Sequence, residues 1–525
     1  MNHRIRHVVI LGGGSAGWLT AALLAADHAP AHEGGLQVTL VESPQTPPIG
    51  VGEGTWPSMR DTLRRIGVSE TGLVRECDAA FKQGSRFDGW VNGAPGDHYF
   101  HPFTLPQGYT EAPLVPAWLA HAAQGRFVPF ADLVCVQPHL CAQGRAPKQA
   151  TTPEYAAVAN YAYHFDAGKF GLFLRRHAVE TLGVRHVVDH MVGVNSHDNG
   201  DIASLQLQGQ GALAGDLFVD CSGLPSLLLG GHYGVALRSQ QQVLFNDAAL
   251  AMQVPYPQTG PQADTPIASQ TIATAQHHGW IWDIGLPTRR GVGHVYSSAH
   301  ASADEVERDL RAHVVATGGA PDLPVRRLSF TPGYRERFWH HNCVAIGLSS
   351  GFIEPLEASA LALVELSAAM LSEEMPATRE AMDIVARRFN ASFGYRWSRV
   401  IEFLKLHYVL SRRDDPARSS YWQDHRRPET VPERLRELLL LWRHRPPSRH
   451  DLYRAEEVFP SASWQYVLYG MGFRPDTPDG TRRVALADAD AHFREAARLT
   501  RRMLAALPAH RTLVEHIHAH GLQRI

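Results

Sequence analysis

Three glycines near the start of the chain have the spacing that binds a dinucleotide. Gly12, Gly14 and Gly17 form G-x-G-x-x-G directly after the apolar run 8–11, and small apolar residues follow them. This order predicts a strand, a tight turn and a helix whose positive end faces a pyrophosphate. The first glycine permits the turn, the second lets phosphates approach main-chain N–H groups, and the third lets helix and strand pack closely. The residues expected at the phosphates are Gly12, Gly14, Ser15, Ala16 and Gly17.

An acidic residue at the end of the next predicted strand supports this interpretation. The strand 37–41 is followed by Glu42, about 20 residues beyond the glycines, where a carboxylate suits an adenosine ribose hydroxyl. The alternative is a signal peptide or a membrane span, because 8–26 carries no charge and follows Arg4 and Arg6. The glycines disfavour that alternative, since each costs a helix about 1 kcal/mol relative to alanine, and no small-residue cleavage site follows.

Lysine is rare in this chain, which has four lysines against 46 arginines. Arginine therefore serves almost everywhere that a cation suffices. A lysine in a predicted interior then indicates that an amine with a movable proton is needed at that position. The four lysines are Lys82, Lys148, Lys169 and Lys405.

The composition narrows the class of protein. The chain has 525 residues, of which 44% are hydrophobic, and its formal net charge is −2. The length allows several domains, and the balanced charge argues against nucleic acid or an anionic membrane as the main partner. The five cysteines are scattered and form no C-x-x-C pair, which indicates a reducing, cytoplasmic setting without a disulfide or a metal site. No other uncharged run reaches the roughly 18 residues that a membrane helix needs.

Later segments repeat the arrangement of a strand that leads into a glycine turn. The run 217–219 enters the D-C-S-G turn 220–223, and the run 343–347 leads through 348–352 into a helix expected from about Leu356. NAD alone would not need the second of these elements, so the pattern favours FAD. The segment 47–55 has glycine at alternate positions and is either a backbone that passes close to a flat ring or an ordinary glycine-rich loop.

These elements predict an α/β (α+β) chain with a two-motif FAD-binding, Rossmann-like fold assembled from discontinuous segments. Inserted substrate-covering segments and a mostly helical C-terminal region complete it. A helix is expected at 161–176, with Phe165, Phe170, Leu172 and Leu174 in the core, and a strand at 184–194. The predicted boundaries are 1–95, 155–235 and 335–375 for the FAD-binding module, 96–154 and 236–334 for substrate and tunnel segments with sheet, and 376–525 for the helical region that covers the substrate site.

Two tryptophans alternate on another predicted strand. Trp280 and Trp282 lie in the segment 279–285, so both side chains face the same side. Taken alone, such a pair is consistent with core packing on one face of a sheet. Their combination with Lys82 and Glu357 is more informative.

Together the motifs resemble the flavin-dependent tryptophan halogenase family. The family motif W-x-W-x-I-P is present with Gly285 in place of proline, and E-P-L-E-S-T-G is present at 354–360 with Ala360 in place of the last glycine. The family's lysine segment matches 80–84 around Lys82. The other matching segments are 220–223, 291–297, 407–408 and 413–415.

The resemblance implies a two-stage reaction that uses FAD, as FADH2, with dioxygen and a halide, chloride or bromide. The halide is oxidised to hypohalous acid, which travels through an internal tunnel to Lys82 and there forms a haloamine or is held by a hydrogen bond. Glu357 would accept the ring proton or polarise the acid. An amine can carry a halogen, whereas a guanidinium stays protonated. Backbone N–H groups of Ser359 and Ala360 would hold the halide.

The resemblance also assigns residues to the cofactor and the substrate. Trp280 and Trp282 would form a wall that separates the flavin from the arene. The further cofactor residues are Gly50, Val51, Gly52, Val192, Ser222, Leu348 and Leu361. The substrate residues are His101, Phe103, Trp280, Trp282 and Trp464.

The identity of the arene stays open at this level. The Tyr-Tyr and Glu cluster with which family members clamp free tryptophan is not found in the matching region 453–471. Indole, an indole derivative or another electron-rich aromatic is therefore as good a candidate as tryptophan, and an FAD-dependent aromatic monooxygenase is the alternative function. A separate flavin reductase is the expected partner, because no second nucleotide-binding motif is found. A homodimer is compatible with the sequence.

Overall fold

The computed structural model describes residues 4–28, 35–45, 52–257, 265–414, 418–452, 454, 457–476 and 486–524, with side chains omitted at 486 and 487. The chain forms two compact units. The first unit consists of Met1–Ala79, Phe165–Gln241 and Phe330–Trp397. The second unit consists of Ala80–His164, Gln242–Ser329 and Ser398–Ile525.

The strands are β1 (His7–Leu11), β2 (Gln37–Glu42), β3 (Gly52–Gly54), β4 (Ala80–Lys82), β5 (Gly84–Asp88), β6 (His98–Pro102), β7 (Ala162–Asp166), β8 (Arg185–Val188), β9 (Met191–Ser196), β10 (Ile202–Leu207), β11 (Gly211–Ala214), β12 (Leu217–Asp220), β13 (Leu237–Ser239), β14 (Ala248–Pro255), β15 (Thr271–Ala275), β16 (Gly279–Gly285), β17 (Arg289–Tyr296), β18 (Arg326–Ser329), β19 (Gly333–Arg335), β20 (Trp339–His340), β21 (Cys343–Ala345) and β22 (Gly351–Phe352).

The α-helices are α1 (Ser15–His28), α2 (Met59–Arg65), α3 (Glu70–Glu76), α4 (Leu114–Ala123), α5 (Phe130–Val134), α6 (Gln137–Ala142), α7 (Ala167–Glu180), α8 (Ala303–Ala316), α9 (Ser359–Glu373), α10 (Arg379–Val409), α11 (Tyr421–Asp424), α12 (Glu433–Trp442), α13 (Ser461–Gly470), α14 (Leu486–Ala506) and α15 (His510–His520).

A six-stranded sheet with a parallel core forms the centre of the first unit. Its order is β20-β21-β12-β1-β2-β8, and β1 pairs in parallel with both β2 and β12. Four of the five residues of β1 are buried, as expected for a strand covered on both faces. Because parallel strands end at the same edge, Leu11, Glu42, Asp220 and Ala345 direct their following turns toward one side of this sheet.

A seven-stranded sheet forms the centre of the second unit. Its order is β18-β14-β17-β16-β15-β5-β6, and all neighbours pair antiparallel except β15 and β5. Helix α8 packs on one face, where Val306, Leu310 and Val314 join a buried cluster with Leu250 and Ile281. Separately, β4 pairs antiparallel with β7, with Ala80 opposite His164 and Lys82 opposite Ala162.

The mixed α/β fold class is confirmed, but two local predictions are only partly correct. The expected helix 161–176 is instead strand β7 followed by α7, and the side chain of Asp166 caps α7 by accepting from the Lys169 N–H at 3.0 Å. Phe165, Phe170 and Leu174 are buried, whereas Leu172 is 55% exposed. The segment 161–165 is buried at every position, so it has no polar face of the kind that marks a surface helix.

The strand expected at 184–194 is interrupted. It forms β8 and β9, which are separated at Asp189 and His190. The Asp189 carboxylate accepts N–H bonds from His190, Gly209 and Gln210, and a short acidic side chain that binds nearby N–H groups favours such a break. Among the residues that the structure describes, each helix is too short or too polar to span a bilayer.

Candidate active site

In the glycine turn of the first unit, there is space for a side chain at Gly14 but not at Gly12 or Gly17. A Cβ atom built on Gly12, whose φ is +121°, would lie 2.1 Å from the carbonyl oxygen of Cys221, and one on Gly17 would lie 1.9 Å from that of Gly12. A Cβ on Gly14 would meet nothing within 4 Å. The first and third glycines therefore permit close packing, and the second leaves open backbone of the kind that a pyrophosphate needs.

The late strand-and-turn element contacts this same turn. Gly347, with a φ of +79°, follows β21, and a Cβ on it would lie 2.7 Å from that of Ala16. Ser15 and Ala16 begin α1. The two segments that sequence reasoning assigned to one cofactor are thus adjacent in the first unit, and the residues fit a dinucleotide such as FAD.

Glu42 lies at the end of β2, against the glycine turn. A Cβ on Gly13 would come within 2.7 Å of the Glu42 Oε1 atom. His186 on β8 lies with Nε2 2.9 Å from Oε2, and Arg175 lies 3.9 Å from the same oxygen. His186 was not predicted, because nothing in its local sequence distinguishes it from other strand histidines.

Asp220, at the end of β12, organises the second turn. Its carboxylate accepts hydrogen bonds from the N–H groups of Leu228 and Leu229, at 2.9 and 2.8 Å. It also binds the Ser222 hydroxyl, which in turn accepts from the Leu227 N–H at 2.8 Å. The side chain of Ser222, a predicted cofactor residue, thus serves the turn itself.

The remaining predicted cofactor residues have varied surroundings. Leu348 lies in a 3-10 turn after β21, and Leu361 is buried in α9. Val192 on β9 is 61% exposed. Gly52 begins β3 and is buried, whereas Gly50 and Val51 lie outside the described residues.

The start of α9 has an unusual backbone. Glu357 and Ala358 are consecutive non-glycine residues in the left-handed region, with φ values of +63° and +54°, and each such residue costs about 1–3 kcal/mol. The Trp56 indole N–H donates to the Glu357 carbonyl at 2.7 Å, and the Ala358 N–H donates to the Pro355 carbonyl at 2.9 Å. The Glu357 side chain itself is buried, and the residue is 7% exposed.

This backbone presents N–H groups for an anion. Ser359 and Ala360 are the first two residues of the 15-residue helix α9, so their N–H groups have no partner within the helix and lie at its positive end. A left-handed residue followed by a right-handed one gathers successive N–H groups into an anion-binding nest. Ala360 is within the helix, where glycine is not required.

In the second unit, Lys82 is buried beside an aromatic ring. The residue is 1% exposed, and its Nζ atom lies 5.3 Å from the centroid of the Phe103 ring. The strand register puts Lys82 and His164 on one face of β4 and β7 as diagonal neighbours. Burial, together with the electrostatic effect of Lys82, holds the pKa of His164 well below its ordinary value.

Burial does not distinguish Lys82 from two other lysines. Lys148 and Lys405 are also fully buried. The Lys148 ammonium donates to the Pro153 carbonyl at 2.9 Å and to the Tyr161 hydroxyl at 3.2 Å. Lys405 bonds to Val243 O, His425 Nδ1 and Thr430 Oγ1, each at 3.0 Å.

His101 and Trp464 belong to one aromatic cluster. The buried His101 ring on β6 lies 5.5 Å from the ring of Phe403 on α10. Phe403 stacks on Phe459 at 3.8 Å and meets Trp464 of α13 edge-on at 5.0 Å. Phe403 and Phe459 were not predicted as site residues. The aromatic enrichment near Trp464 was the only sequence signal for them.

Trp280 and Trp282 form a second group with Trp90. Both are buried on β16, and their rings lie 6.4 Å apart. The rings of Trp280 and Trp90 lie 6.3 Å apart. Gly293 on β17 makes room for Trp282, because a Cβ there would lie 2.1 Å from the indole ring.

The structure gives no sign of a metal site or a disulfide among the described residues. In the described ranges, no group of three or more His, Cys, Asp or Glu side chains is arranged to hold a metal ion. The five cysteines, all within those ranges, are buried and free.

Comparison with known proteins agrees with these features. Residues 7–486 match the family model described as Tryptophan halogenase. The chain is 34% identical to the tryptophan 6-halogenase SttH of Streptomyces toxytricini, over 93% of each chain. It is 31% identical to the tryptophan 7-halogenase RebH of Lentzea aerocolonigenes, over 91% of this chain and 92% of that protein.

Among solved structures, the tryptophan halogenase of Shewanella frigidimarina superposes with a TM-score of 0.94 at 46% identity, over 99% of each chain. The chain therefore belongs to the tryptophan halogenase family, flavin-dependent enzymes that halogenate with FADH2, dioxygen and a halide.

Proposed function

We propose that this enzyme halogenates indole or an indole derivative with hypohalous acid that is captured at Lys82. The observation that carries the proposal is the buried Lys82 amine, whose Nζ lies 5.3 Å from the Phe103 ring, in a chain with four lysines. A buried amine beside an aromatic ring can present an electrophilic halogen to an arene, away from water.

FAD would be held by the first unit. The turn Gly12–Gly17 and the positive end of α1 suit the pyrophosphate, the Glu42 carboxylate suits a ribose hydroxyl, and Gly347 allows a close approach beside Ala16. When bound and reduced, FAD supplies, with dioxygen, the oxidising equivalent that turns a halide into hypohalous acid. The N–H groups of Ser359 and Ala360 would hold the halide at the start of α9.

Lys82 has two chemically balanced roles. As an ammonium, it donates a hydrogen bond to the oxygen of hypohalous acid and stabilises the departing hydroxide as the arene attacks the halogen. As a neutral amine, its lone pair attacks the halogen, an N–halogen bond forms, and the released hydroxide takes the amine proton as water. The arene then attacks the halogen, the N–halogen bond breaks with its electron pair on nitrogen, and nitrogen takes up a proton from water to restore the amine.

Glu357 would accept the proton that the ring loses on rearomatisation. A carboxylate is a competent base for a cationic ring intermediate. The left-handed backbone at Glu357, braced by the Trp56 indole N–H, supports a functional role because strained backbone recurs at such sites.

The aromatic cluster of the second unit favours a neutral arene. His101, Phe403, Phe459 and Trp464 offer ring faces and edges, which suit an indole ring better than the ammonium and carboxylate of an amino acid. Glu456, in the region where other family members clamp tryptophan, lies outside the described residues.

Product mass tests this proposal. The enzyme, with FAD, a flavin reductase and NADH, is offered indole or free tryptophan, with bromide, with chloride or without halide. We expect halogenated indole to dominate. An oxygenated product that forms without halide would instead identify a monooxygenase.

The matched variants are Lys82→Ala and Lys169→Ala, because Lys169 is an exposed lysine. Lys82→Ala should lower arene halogenation by about a thousandfold while FADH2 oxidation continues, and Lys169→Ala should leave both unchanged. Unchanged halogenation in Lys82→Ala would refute the assignment of Lys82.

We further propose a separate flavin reductase as the source of FADH2, a cytoplasmic location and a homodimer. The single G-x-G-x-x-G turn supports the first, and five free, buried cysteines are consistent with the second. Sedimentation of the purified enzyme alone tests the homodimer, and sedimentation with a reductase detects a stable complex of the two proteins.

A further inference from the structure

The strand that carries Lys82 is supported by helix α15. The Phe81 N–H on β4 donates to His510 Nε2 at 2.9 Å, and His510 Nδ1 donates to the Ile267 carbonyl at 3.0 Å. His510 is the first residue of α15 and is 1% exposed. Because Nε2 accepts, the hydrogen must lie on Nδ1, so the two bonds select one neutral tautomer.

This bond complements the pairing of β4 with β7. In an antiparallel pair, alternate residues direct their N–H groups away from the partner strand. Phe81 is opposite Tyr163, and its N–H goes to His510, whereas Lys82 is opposite Ala162. Strand β4 is only three residues long, so a single additional bond is a large part of what holds it.

The residue after Lys82 is anchored as well. The Gln83 N–H donates to the Ser269 carbonyl at 2.7 Å, and its side-chain amide donates to the Arg145 carbonyl at 2.8 Å. Both neighbours of Lys82 are thus tied to segments that are distant in sequence, while the Lys82 side chain rests against Phe103.

The segment 144–146 contacts both His510 and the side chain of Gln83. The main-chain N–H of His510 donates to the Gly144 carbonyl at 2.8 Å, and that of Ala146 donates to the Pro508 carbonyl at 3.0 Å. Ala509 and Arg145 form an isolated bridge between them. The segment 144–146 therefore holds the start of α15, which binds Phe81, and also receives the Gln83 side chain.

We infer that His510 and Gln83 are positioning residues for Lys82: they hold its main chain so that the amine meets hypohalous acid and arene in a productive geometry. The inference rests on the proposed role of Lys82. A displacement of about 1 Å in a reacting group can cost on the order of a hundredfold in rate, so loss of one anchor should reduce capture of the oxidant without blocking its formation.

Two substitutions at one position separate the bonds of His510. His510→Gln keeps an acceptor near the place of Nε2 for the Phe81 N–H, whereas His510→Asn keeps a donor near the place of Nδ1 and loses that acceptor. Three quantities are measured where the protein is folded: FADH2 oxidation, halogenated arene per FADH2 oxidised, and halogenation of an added 1,3-diketone that traps escaped hypohalous acid.

For His510→Asn we expect about tenfold less halogenated arene per FADH2 and a matching rise in trapped oxidant. His510→Gln should stay within about threefold of the parent enzyme. Equal values for the two variants would overturn the inference. His294→Asn is the control, because His294 is also fully buried in the second unit but lies on β17, opposite Ile281 on the sheet face that α8 covers.

Two further variants complete the test. If His510→Asn does not fold, Gln83→Leu replaces it: the same escape of oxidant is expected, and normal product per FADH2 would contradict the inference. Lys82→Ala distinguishes the two proposals. If it halogenates normally, the proposed function fails, whereas a defective Lys82→Ala beside a normal His510→Asn leaves the function standing and refutes only the positioning role.

Discussion

The two units prepare their chemistry with different parts of the polypeptide. In the first, the main chain predominates: the open backbone at Gly14, the Gly347 turn and the N–H groups at the start of α9 are all backbone features. In the second, side chains predominate: Lys82 on β4 lies beside Phe103, and His101, Phe403 and Trp464 form an aromatic cluster. A diffusible ion and a dinucleotide suit backbone donors, whereas an arene requires surfaces that only side chains supply.

The largest effect is expected from the main chain of the first unit. Gly12→Ala puts a Cβ 2.1 Å from the Cys221 carbonyl at a φ of +121°, so we expect loss of several kcal/mol of folding free energy and of FAD binding. Gly14→Ala has no such contact. It should fold normally and bind FAD about tenfold more weakly.

Thermal unfolding and equilibrium dialysis of FAD measure this pair of variants. A Gly14→Ala protein as unstable as Gly12→Ala would contradict the distinction between packing and ligand space at this turn.

A smaller effect concerns the pH dependence of stability, which has opposite signs for a buried carboxyl group and for two buried histidines. Burial raises the pKa of Glu365 to about 8 in the first unit, where Thr62 and Ser58 donate to it. Its folded pKa lies above its unfolded value, so the stability it gives is complete below about pH 4.5 and is lost as pH rises through 8. The difference in free energy of unfolding between Glu365→Gln and the parent should therefore shift by at least about 2 kcal/mol in favour of the variant as pH rises from 5 to 9.

In the second unit, burial lowers the pKa of His294 to about 3 and that of His313 to about 4. The unfolded chain binds protons first as pH falls below 6.5, so stability decreases from there toward pH 4. Substituting either histidine by Gln should reduce the loss of stability below pH 6.5 and leave the stability at alkaline pH unchanged. Urea unfolding at a series of pH values measures the free energy of unfolding on the acid and the alkaline side. If the Glu365→Gln variant lost as much stability as the parent between pH 5 and pH 9, the predicted effect of Glu365 would be wrong.

The smallest effect tests the backbone at the start of α9. Ala358→Gly removes the cost of a left-handed alanine with a φ of +54°, partly offset by the freedom of glycine in the unfolded chain, so the free energy of unfolding should rise by about 0.5 kcal/mol. Ala362→Gly, inside α9, should lower it by about 1 kcal/mol. Denaturant titration distinguishes the two, and equal losses would mean that the backbone at Ala358 is not strained.

The contrast between a backbone site in the first unit and a side-chain site in the second explains which features could be predicted from sequence. The glycine turns and Glu42 follow from short spacings, because a backbone site is encoded by consecutive residues. Lys82 was found through its motif, whereas lysine rarity alone would have selected the buried Lys148 and Lys405 equally well. Phe403 lies on a 31-residue helix with nothing local to distinguish it from a core residue.

Long-range partners were beyond sequence reasoning. His510 binds a backbone N–H 429 positions away, and no spacing rule connects a lone histidine with a strand that distant. The prediction was wrong at 162–166 for a related reason. The apolar residues there fit a helix and a buried strand equally well, and the pairing of Phe81 with Tyr163 favours the strand.

The Phe81–His510 bond also has a consequence for biosynthesis. The ribosome releases strand β4 long before the histidine that supports it, with 429 positions between them. The nucleotide-binding turn of the nascent polypeptide can form early, whereas strand β4 lacks this bond until residue 510 has been synthesised. A truncation before residue 510, or a change that displaces helix α15, would remove the His510 bond to the Phe81 N–H next to Lys82.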